Sequence, residues 1–402
     1  MSRSGVTGVP GFEAAGIACG IKGGGAPDLA LVATSTRRAV PAAGVFTSNL
    51  ATAAPVQVTR EHLRSGHAAA VVLNSGNANA ATGESGRADA RRTCELVAGA
   101  LGCADDDVLV CSTGLIGVPL PMAAVESGVP GLAAGLASGE AAGHAAAEAI
   151  LTTDTVAKEV LVVAELAGTA GFTVGGMAKG AAMLAPAMAT MLAVVVTDAC
   201  ATPAALHSAL EHGVRDTFNA LIVDACTSTN DTVLLLANGD AGHEPIGPEG
   251  HAFHALVEAV TEVCDELAGA MAADAEGATK LATVVVRGAR SGEDARRAAR
   301  AVAASQLVQC SLYGQDPYWG RVLSELGASG AWFDPERVDI AYNGITVCRE
   351  GIATLHDEIA LAEAMSGRAI EITCDLREGM GQATVRFTDL SHAYVDENMG
   401  TS

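Results

Sequence analysis

Lys179 and Thr190 are the residues whose types invite chemistry in the stretch MAKGAAMLAPAMATMLAVVVTDA (177–199). A threonine hydroxyl becomes a nucleophile once a base takes its proton. Lys179 is the one charge in this stretch before Asp198. Gly175, Gly176 and Gly180 make its start read as flexible, Pro186 follows, and Thr190 leads directly into an apolar run. Composition by itself gives these residues a plainer reading as well. The stretch is then a loop entering a core strand, Thr190 an ordinary β-branched residue and Lys179 a solvated lysine. Both readings stand on the residues alone.

Other signatures fail. The chain contains no HExxH, no Walker phosphate loop and no GxSxG elbow. His251 and His254 lie three apart on an expected helix with no further ligand pattern, which favours a plain helix surface over a metal site. GIACGIKGGG (16–25) lacks the preceding strand and the glycine spacing of a dinucleotide loop. The ten cysteines are scattered without a CxxC pair, and Pro10 and Glu13 interrupt the N-terminus where a secretory signal needs an apolar run. Reduced thiols in a cytoplasmic protein are expected, and the Asn230–Thr232 sequon is then a chance match.

The elements that must position such residues are legible in the apolar pattern. Strands are expected at 29–34, 69–73, 107–112, 159–166, 192–197, 218–224, 232–238, 283–288, 371–375 and 383–387. Their near-continuous apolar character indicates strands covered on both faces. Thr202-Pro203 opens a helix marked by Leu206, Leu210 and Val214. Ser291 with Asp294 opens another that reads through EDARRAARAVAASQLV (293–308). Segments 139–150 and 251–275 read as packed helices, and 237–250 as a loop. Strands and helices do not strictly alternate, which favours a layered α/β or α+β sandwich. The 402 residues carry 24 Lys+Arg against 46 Asp+Glu, a net charge of −22, and half are hydrophobic. So acidic a chain disfavours a nucleic-acid partner. Val108–Val125 and Gly180–Thr197 are uncharged over long windows, yet Gly114, Gly117, Pro119 and Pro121 in the first and Pro186 and Thr190 in the second argue against a membrane span.

KGAAMLAPAMATML (179–192) resembles the self-cleaving motif of the ornithine acetyltransferase, or glutamate N-acetyltransferase, family. NSGNANAATGESG (74–86), CSTGLIG (111–117), LTTDT (151–155), STNDT (228–232), EGATK (276–280), GQDPYWGR (314–321) and YVDEN (394–398) look like further blocks of that family, in family order. The resemblance spans nearly the whole chain. It implies an α/β (α+β layered) sandwich of the self-processing aminopeptidase and ornithine-acetyltransferase type. It also implies a cut at Ala189–Thr190 that yields an α chain (1–189) and a β chain (190–402).

The implied chemistry is a ping-pong acetyl transfer. Thr190, at the new N-terminus, takes acetyl from N-acetyl-L-ornithine and hands it to L-glutamate. An α-amine titrates near 7.7–8.0, whereas Lys179 starts from about 10.4 and needs strong desolvation to serve as base. By resemblance, the Thr113 hydroxyl and Gly114 N–H receive the oxyanion. Substrate is met by Thr153 (with Thr152 beside it as the alternative), Lys179, Thr190, Glu276, Asn398 and Thr401. Apart from the resemblance, Thr113-Gly114 reads as a strand-end turn and Glu276 as a glutamate at a helix end. The family implies no metal and no organic cofactor, with small-molecule substrates and a heterotetramer of two α and two β chains as partners. Acetyl-CoA as a second donor is left open.

Four departures from the family pattern stand out. Ala187 replaces the usual Asn just before the cut, Tyr318 replaces an Asn, and Ala225-Cys226 replace a Gly-Asp pair. The tail NMGTS (398–402) is short. Ala187 leads to an expectation of slower or differently assisted cleavage, and Cys226 reads as a buried small hydrophobe. Two rival functions remain on sequence: an aminopeptidase or amidohydrolase on the same scaffold, and a processing-defective, non-catalytic paralogue.

Overall fold

The computed structural model describes residues 5–166, 171–183 and 191–399. They form two compact units, the first drawn from Met1–Gly180, Ala187–Phe218 and Thr227–Met271, the second from Ala181–Pro186, Asn219–Cys226 and Ala272–Ser402.

Two sheets build the first unit. One has the spatial order β1 (Phe12–Ile17), β2 (Leu29–Thr34), β5 (Ala70–Asn77), β6 (Val108–Leu115), antiparallel but for the β5–β6 pair. The other runs β4 (His67–Ala68), β3 (Val40–Phe46), β11 (Thr232–Ala237), β9 (Leu192–Thr197), β8 (Phe172–Lys179), β7 (Lys158–Ala164), with β11–β9 its parallel pair. Strand β2, LALVAT, shows why its run is wholly apolar. Ala30 and Val32 face a core shared with Leu192, Val194 and Val196 of β9 and with Leu234 and Leu236 of β11. Leu29, Leu31 and Ala33 face the opposite core. There they meet α1 (Ala54–His62), α2 (Gly83–Leu101) and α3 (Met122–Ala134) through Val58, Val97 and Val129. Helix α4 (Glu140–Ala149) adds Ala146, Ala147 and Ala149 to the inter-sheet core, while α5 (Pro203–Arg215) packs on β3 and β11 of the second sheet and α6 (His251–Ala273) brings Val263 and Leu267 against Gly176 of β8. The result is a helix–sheet–sheet–helix sandwich, as expected for strands buried on both faces.

The second unit has one sheet, β10 (Leu221–Ile222), β17 (Gly381–Thr388), β12 (Leu281–Ala289), β16 (Ala369–Asp375), β13 (Asp339–Tyr342), β14 (Ile345–Arg349), β15 (Ile352–Ala353), in that order. Helix α7 (Gly292–Ala304) lays Ala295, Ala298, Ala299 and Val302 on Val284, Val286, Val385 and Phe387. Helices α8 (Gln306–Tyr313), α9 (Trp319–Ala328) and α10 (Glu358–Ser366) complete this core, and α11 (His392–Asn398) ends the described chain. No helix among the described residues is long and apolar enough to cross a membrane.

Three expectations change. The helix expected to continue to 308 breaks at Ser305, whose extended backbone (ψ 115°) ends α7 and whose hydroxyl accepts from the Val308 N–H to start α8. Only Leu221–Ile222 of the expected strand 218–224 pairs, at a sheet edge, because Phe218–Ala220 turn as a 3₁₀ helix. Gly175 and Gly176 are strand residues of β8 rather than a flexible lead-in. A Cβ at Gly175 would lie 2.2 Å from the Gly5 carbonyl oxygen, and one at Gly176 would lie 2.8 Å from Val263 Cγ1 and 3.0 Å from Leu267 Cδ1. Close packing, not mobility, selects glycine there. Gly175→Ala should therefore cost about 1–3 kcal/mol through overpacking, read as a lowered urea midpoint; an unchanged midpoint would contradict this reading of β8.

Candidate active site

Strand β6 carries Thr113 out of the core. Its first six residues are buried and Gly114 and Leu115 are exposed. Gly114 has φ +133°, and a Cβ on it would lie 2.2 Å from the Gly76 carbonyl carbon, so the approach of β5 requires glycine. Polar side chains fix this strand end. Asn230 Nδ2 donates to the carbonyls of Ala78 (2.7 Å) and Ser112 (2.9 Å), and Ser112 Oγ donates to Asn74 Oδ1 (2.6 Å). The NSGNANA, CSTGLIG and STNDT blocks thus hold one another.

Lys179, the last residue of β8, is buried in the same unit. Its Nζ donates to Thr152 Oγ1 at 2.6 Å and to Thr113 Oγ1 at 3.4 Å, and lies 3.6 Å from Asp154 Oδ2. Accepting from an ammonium leaves the Thr113 hydroxyl its proton for another acceptor. Asp154 organises the group. Its Oδ1 accepts from Lys158 Nζ (2.8 Å) and the Gly180 N–H (2.7 Å), and its Oδ2 from the Thr152 N–H (3.2 Å). Burial pushes this carboxyl up, but the Lys179 and Lys158 ammoniums and the Gly180 N–H outweigh it and bring the pKa down to about 2. Of the two threonines weighed for substrate contact, Thr152 is the one placed on Lys179, while Thr153 lies exposed beside it.

The second unit brings Glu276 and Asn398 together. Asn398 Nδ2 donates to Glu276 Oε2 at 2.7 Å and to the Tyr394 carbonyl at 2.9 Å; Glu276 is buried, and its N–H bonds the Ala181 carbonyl at 3.0 Å. Gly277 has φ +62°, and a Cβ there would lie 2.3 Å from the Tyr394 nitrogen. Helix α11 can therefore sit against EGATK only over a glycine. Ala187, Ala189, Thr190 and Thr401 lie outside the described residues. Met191, next in the chain after Thr190, donates its N–H to Asp231 Oδ1 at 3.0 Å.

Sequence reasoning missed Asp154, Asn230 and Asp231. An aspartate among threonines reads as turn chemistry; the usable signal was an acid placed directly before a wholly apolar strand, as in NDTVLLLA (230–237). The glycine-rich stretch 16–25 has a structural purpose. The N–H groups of Cys19, Gly20, Ile21 and Lys22 all donate to the buried Asp28 carboxylate at 2.6–3.0 Å, so its anion is internal. His251 and His254 are exposed on α6, and among the described residues no group of three His, Cys, Asp or Glu is placed to hold a metal ion. Cys226 is exposed rather than buried, at the positive-φ turn after Ala225; partial burial and the neighbouring Asp224 carboxylate push its thiol up, so it is not a ready thiolate.

The ArgJ family profile matches residues 13–400. The Arginine biosynthesis bifunctional protein ArgJ of Mycobacterium leprae is 49% identical over 407 residues, covering 100% of this chain and 97% of its own. The chain belongs to the ArgJ family. The protein of the same name from Thermobifida fusca is 46% identical and covers 99% of both chains. Among solved structures, ornithine acetyltransferase from Mycobacterium tuberculosis, complexed with ornithine, is 46% identical over 46% of this chain and 96% of that chain, with a TM-score of 0.43. The ArgJ protein of Bacillus halodurans is 34% identical over 50% of this chain and 96% of its own, with a TM-score of 0.49.

Asp154 yields a test with a defined sign. Because its pKa is lowered from 3.8 to about 2, its contribution is complete above the ordinary range and disappears as pH falls through about 2. Asp154→Asn leaves two buried ammoniums without their carboxylate and should cost about 3–5 kcal/mol near pH 7. In urea unfolding, the gap between variant and parent should close below pH 4; a gap independent of pH would contradict the ionised state.

Proposed function

We propose that Thr190, freed by cleavage at Ala189–Thr190, carries acetyl in a ping-pong transfer from N-acetyl-L-ornithine to L-glutamate. The overall activity follows from family membership: the chain is an acyltransferase of arginine biosynthesis that moves acetyl between ornithine and glutamate. That near-full-length kinship, at 49% identity to a protein named for arginine biosynthesis, carries the conclusion and favours transfer over the hydrolase and non-catalytic readings.

The residues divide the work as follows. In the precursor the Thr190 hydroxyl attacks the Ala189 carbonyl, the peptide C–N bond breaks, and water opens the resulting ester. The released α-amine then takes the proton of its own hydroxyl as that oxygen attacks the acetyl carbonyl. The Thr113 hydroxyl and the Gly114 N–H receive the oxyanion. Collapse expels ornithine, which leaves with the proton the amine had taken, and the amine of glutamate attacks the acetyl-threonine in the second half. Lys179 meets the substrate α-carboxylate, with Thr152 or Thr153 beside it. Glu276, held by Asn398, meets the ornithine ammonium, and Thr401 adds a further contact. The Lys179–Thr152–Thr113 cluster supports this assignment, since an ammonium and hydroxyls fit a carboxylate. The reading further assigns residues 1–189 and 190–402 to α and β chains, two of each per molecule, working in the cytoplasm.

The test is intact-mass analysis after incubation with N-acetyl-L-ornithine. One acetyl group should appear on the 190–402 fragment and pass to L-glutamate when that is added, and Thr190→Ala should give one uncut, unlabelled chain. Acetate release without N-acetylglutamate would favour the hydrolase, and normal fragments from Thr190→Ala would refute the cut site. Acetyl-CoA offered as the alternative donor answers the question of the second activity in the same assay.

A further inference from the structure

We propose that Tyr394 is a positioning residue for substrate recognition: its hydroxyl, anchored on Asp224, fixes the helix turn whose carbonyl orients Asn398 toward Glu276. The inference deepens the role proposed above for Glu276 toward the ornithine ammonium and rests on it. It does not depend on the cut before Thr190.

All the residues concerned belong to the second unit. Asn398 Nδ2 donates to Glu276 Oε2 at 2.7 Å and to the Tyr394 carbonyl at 2.9 Å. A side-chain amide has two N–H donors on one side and an acceptor oxygen on the other. Both donors of Asn398 are spent on acceptors, so turning the amide over would set its oxygen against a carboxylate and a carbonyl. The Tyr394 carbonyl thereby decides which way Asn398 points. The amide oxygen and the Glu276 carboxylate then present acceptors together. An alkylammonium, with three N–H donors and a full charge, fits such a pair better than a neutral end group does.

Tyr394 is held in its turn at the far end of its side chain. Its hydroxyl donates to Asp224 Oδ2 at 3.2 Å. Burial and then the Asp224 carboxylate push this phenol up from its ordinary value, so it keeps its proton and stays a donor. Asp224 is itself fixed by backbone groups. The Cys226 N–H bonds Oδ1 at 3.0 Å, and the N–H of Met183, a residue with φ +56°, bonds Oδ2.

These bonds close into a ring. From Asp224 it passes through Tyr394 and Asn398 to Glu276, whose N–H donates to the Ala181 carbonyl at 3.0 Å, and Met183, two residues on, returns it to Asp224. The start of α11 is fastened separately. Ser391 Oγ donates to the Gly277 carbonyl at 2.6 Å and accepts from the Tyr394 N–H at 3.2 Å. Seating α11 on EGATK is thus served without the Tyr394 hydroxyl. The hydroxyl acts on the other end, where Asn398 closes a helix of seven residues. The last turn of a helix frays unless something ties it down.

Tyr394→Phe removes the one hydroxyl and keeps the ring. Parent and variant are compared as purified enzyme at saturating L-glutamate with two acetyl donors. One is N-acetyl-L-ornithine; the other is N-acetyl-L-norvaline, which has the same carbon chain without the terminal amine. Glu276→Gln is the reference for lost ammonium recognition, and its preference for the ornithine donor should fall at least about tenfold. In Tyr394→Phe the KM for N-acetyl-L-ornithine should rise about three- to tenfold, with kcat and the norvaline kcat/KM each within about twofold of the parent. An unchanged KM overturns the inference. An equal loss on both donors also overturns it, since that is what a hydroxyl needed only for the fold would give. If Glu276→Gln keeps the parent's preference, the role proposed for Glu276 is refuted and the inference falls with it; if Glu276→Gln loses that preference and Tyr394→Phe does not, the inference alone fails. Should the Phe variant not fold, Asp224→Asn takes its place, offering one acceptor oxygen where the carboxylate serves three donors. The same selective loss is then expected, and an equal loss on both donors, or none, overturns.

Discussion

Parallel pairing of β9 with β11 fixes the chain on the C-terminal side of the Ala189–Thr190 bond. Six residue pairs, from Leu192↔Thr232 to Thr197↔Ala237, lie in the interior of a six-stranded sheet, and every residue of β9 is buried. Met191 extends the pairing through Asp231 and Thr232. If, as proposed, the peptide bond before Thr190 is broken, a strand held in this way stays in place. Under the proposed cleavage, a fixed strand directly after the cut is the condition for a hydroxyl and its own amine to work together.

Buried carboxylates set the geometry around that strand. Asp28 collects four successive backbone N–H groups, and Lys22, at the end of that series, donates to the Leu151 carbonyl at 2.6 Å, beside the segment that carries Thr152 and Asp154. Asp154 then binds Lys158, the Gly180 N–H and Lys179. Each of these acids is paired with several donors, so its burial is compensated. Asp231, with one oxygen unpaired, is the contrasting case. In the second unit the same rule is followed by Lys280, whose Nζ donates to the carbonyls of Met365, Ser366 and Gly367 at the end of α10.

Sequence made the layered sandwich legible because strands buried on both faces must be apolar throughout, as LALVAT and LAVVVT are. It concealed β8 because Gly175 and Gly176 imitate a loop until the packing of Gly5, Val263 and Leu267 against them is known. It also concealed the break at Ser305, where an alanine-rich helical pattern runs on without interruption. Lys179, Glu276 and Asn398 were visible as family blocks, with Thr152 as the alternative to Thr153, yet the choice of Thr152 and the presence of Asp154 beside Lys179 became identifiable only from distances. An aspartate's role depends on which donors the fold delivers to it, and spacing along the chain does not encode that.

N-terminal sequencing of the purified, active protein tests most directly the self-made nucleophile. A second terminus beginning Thr190-Met191-Leu192, in equal amount to the first, is the result predicted here. An active preparation that yields only the start of the full chain would contradict it.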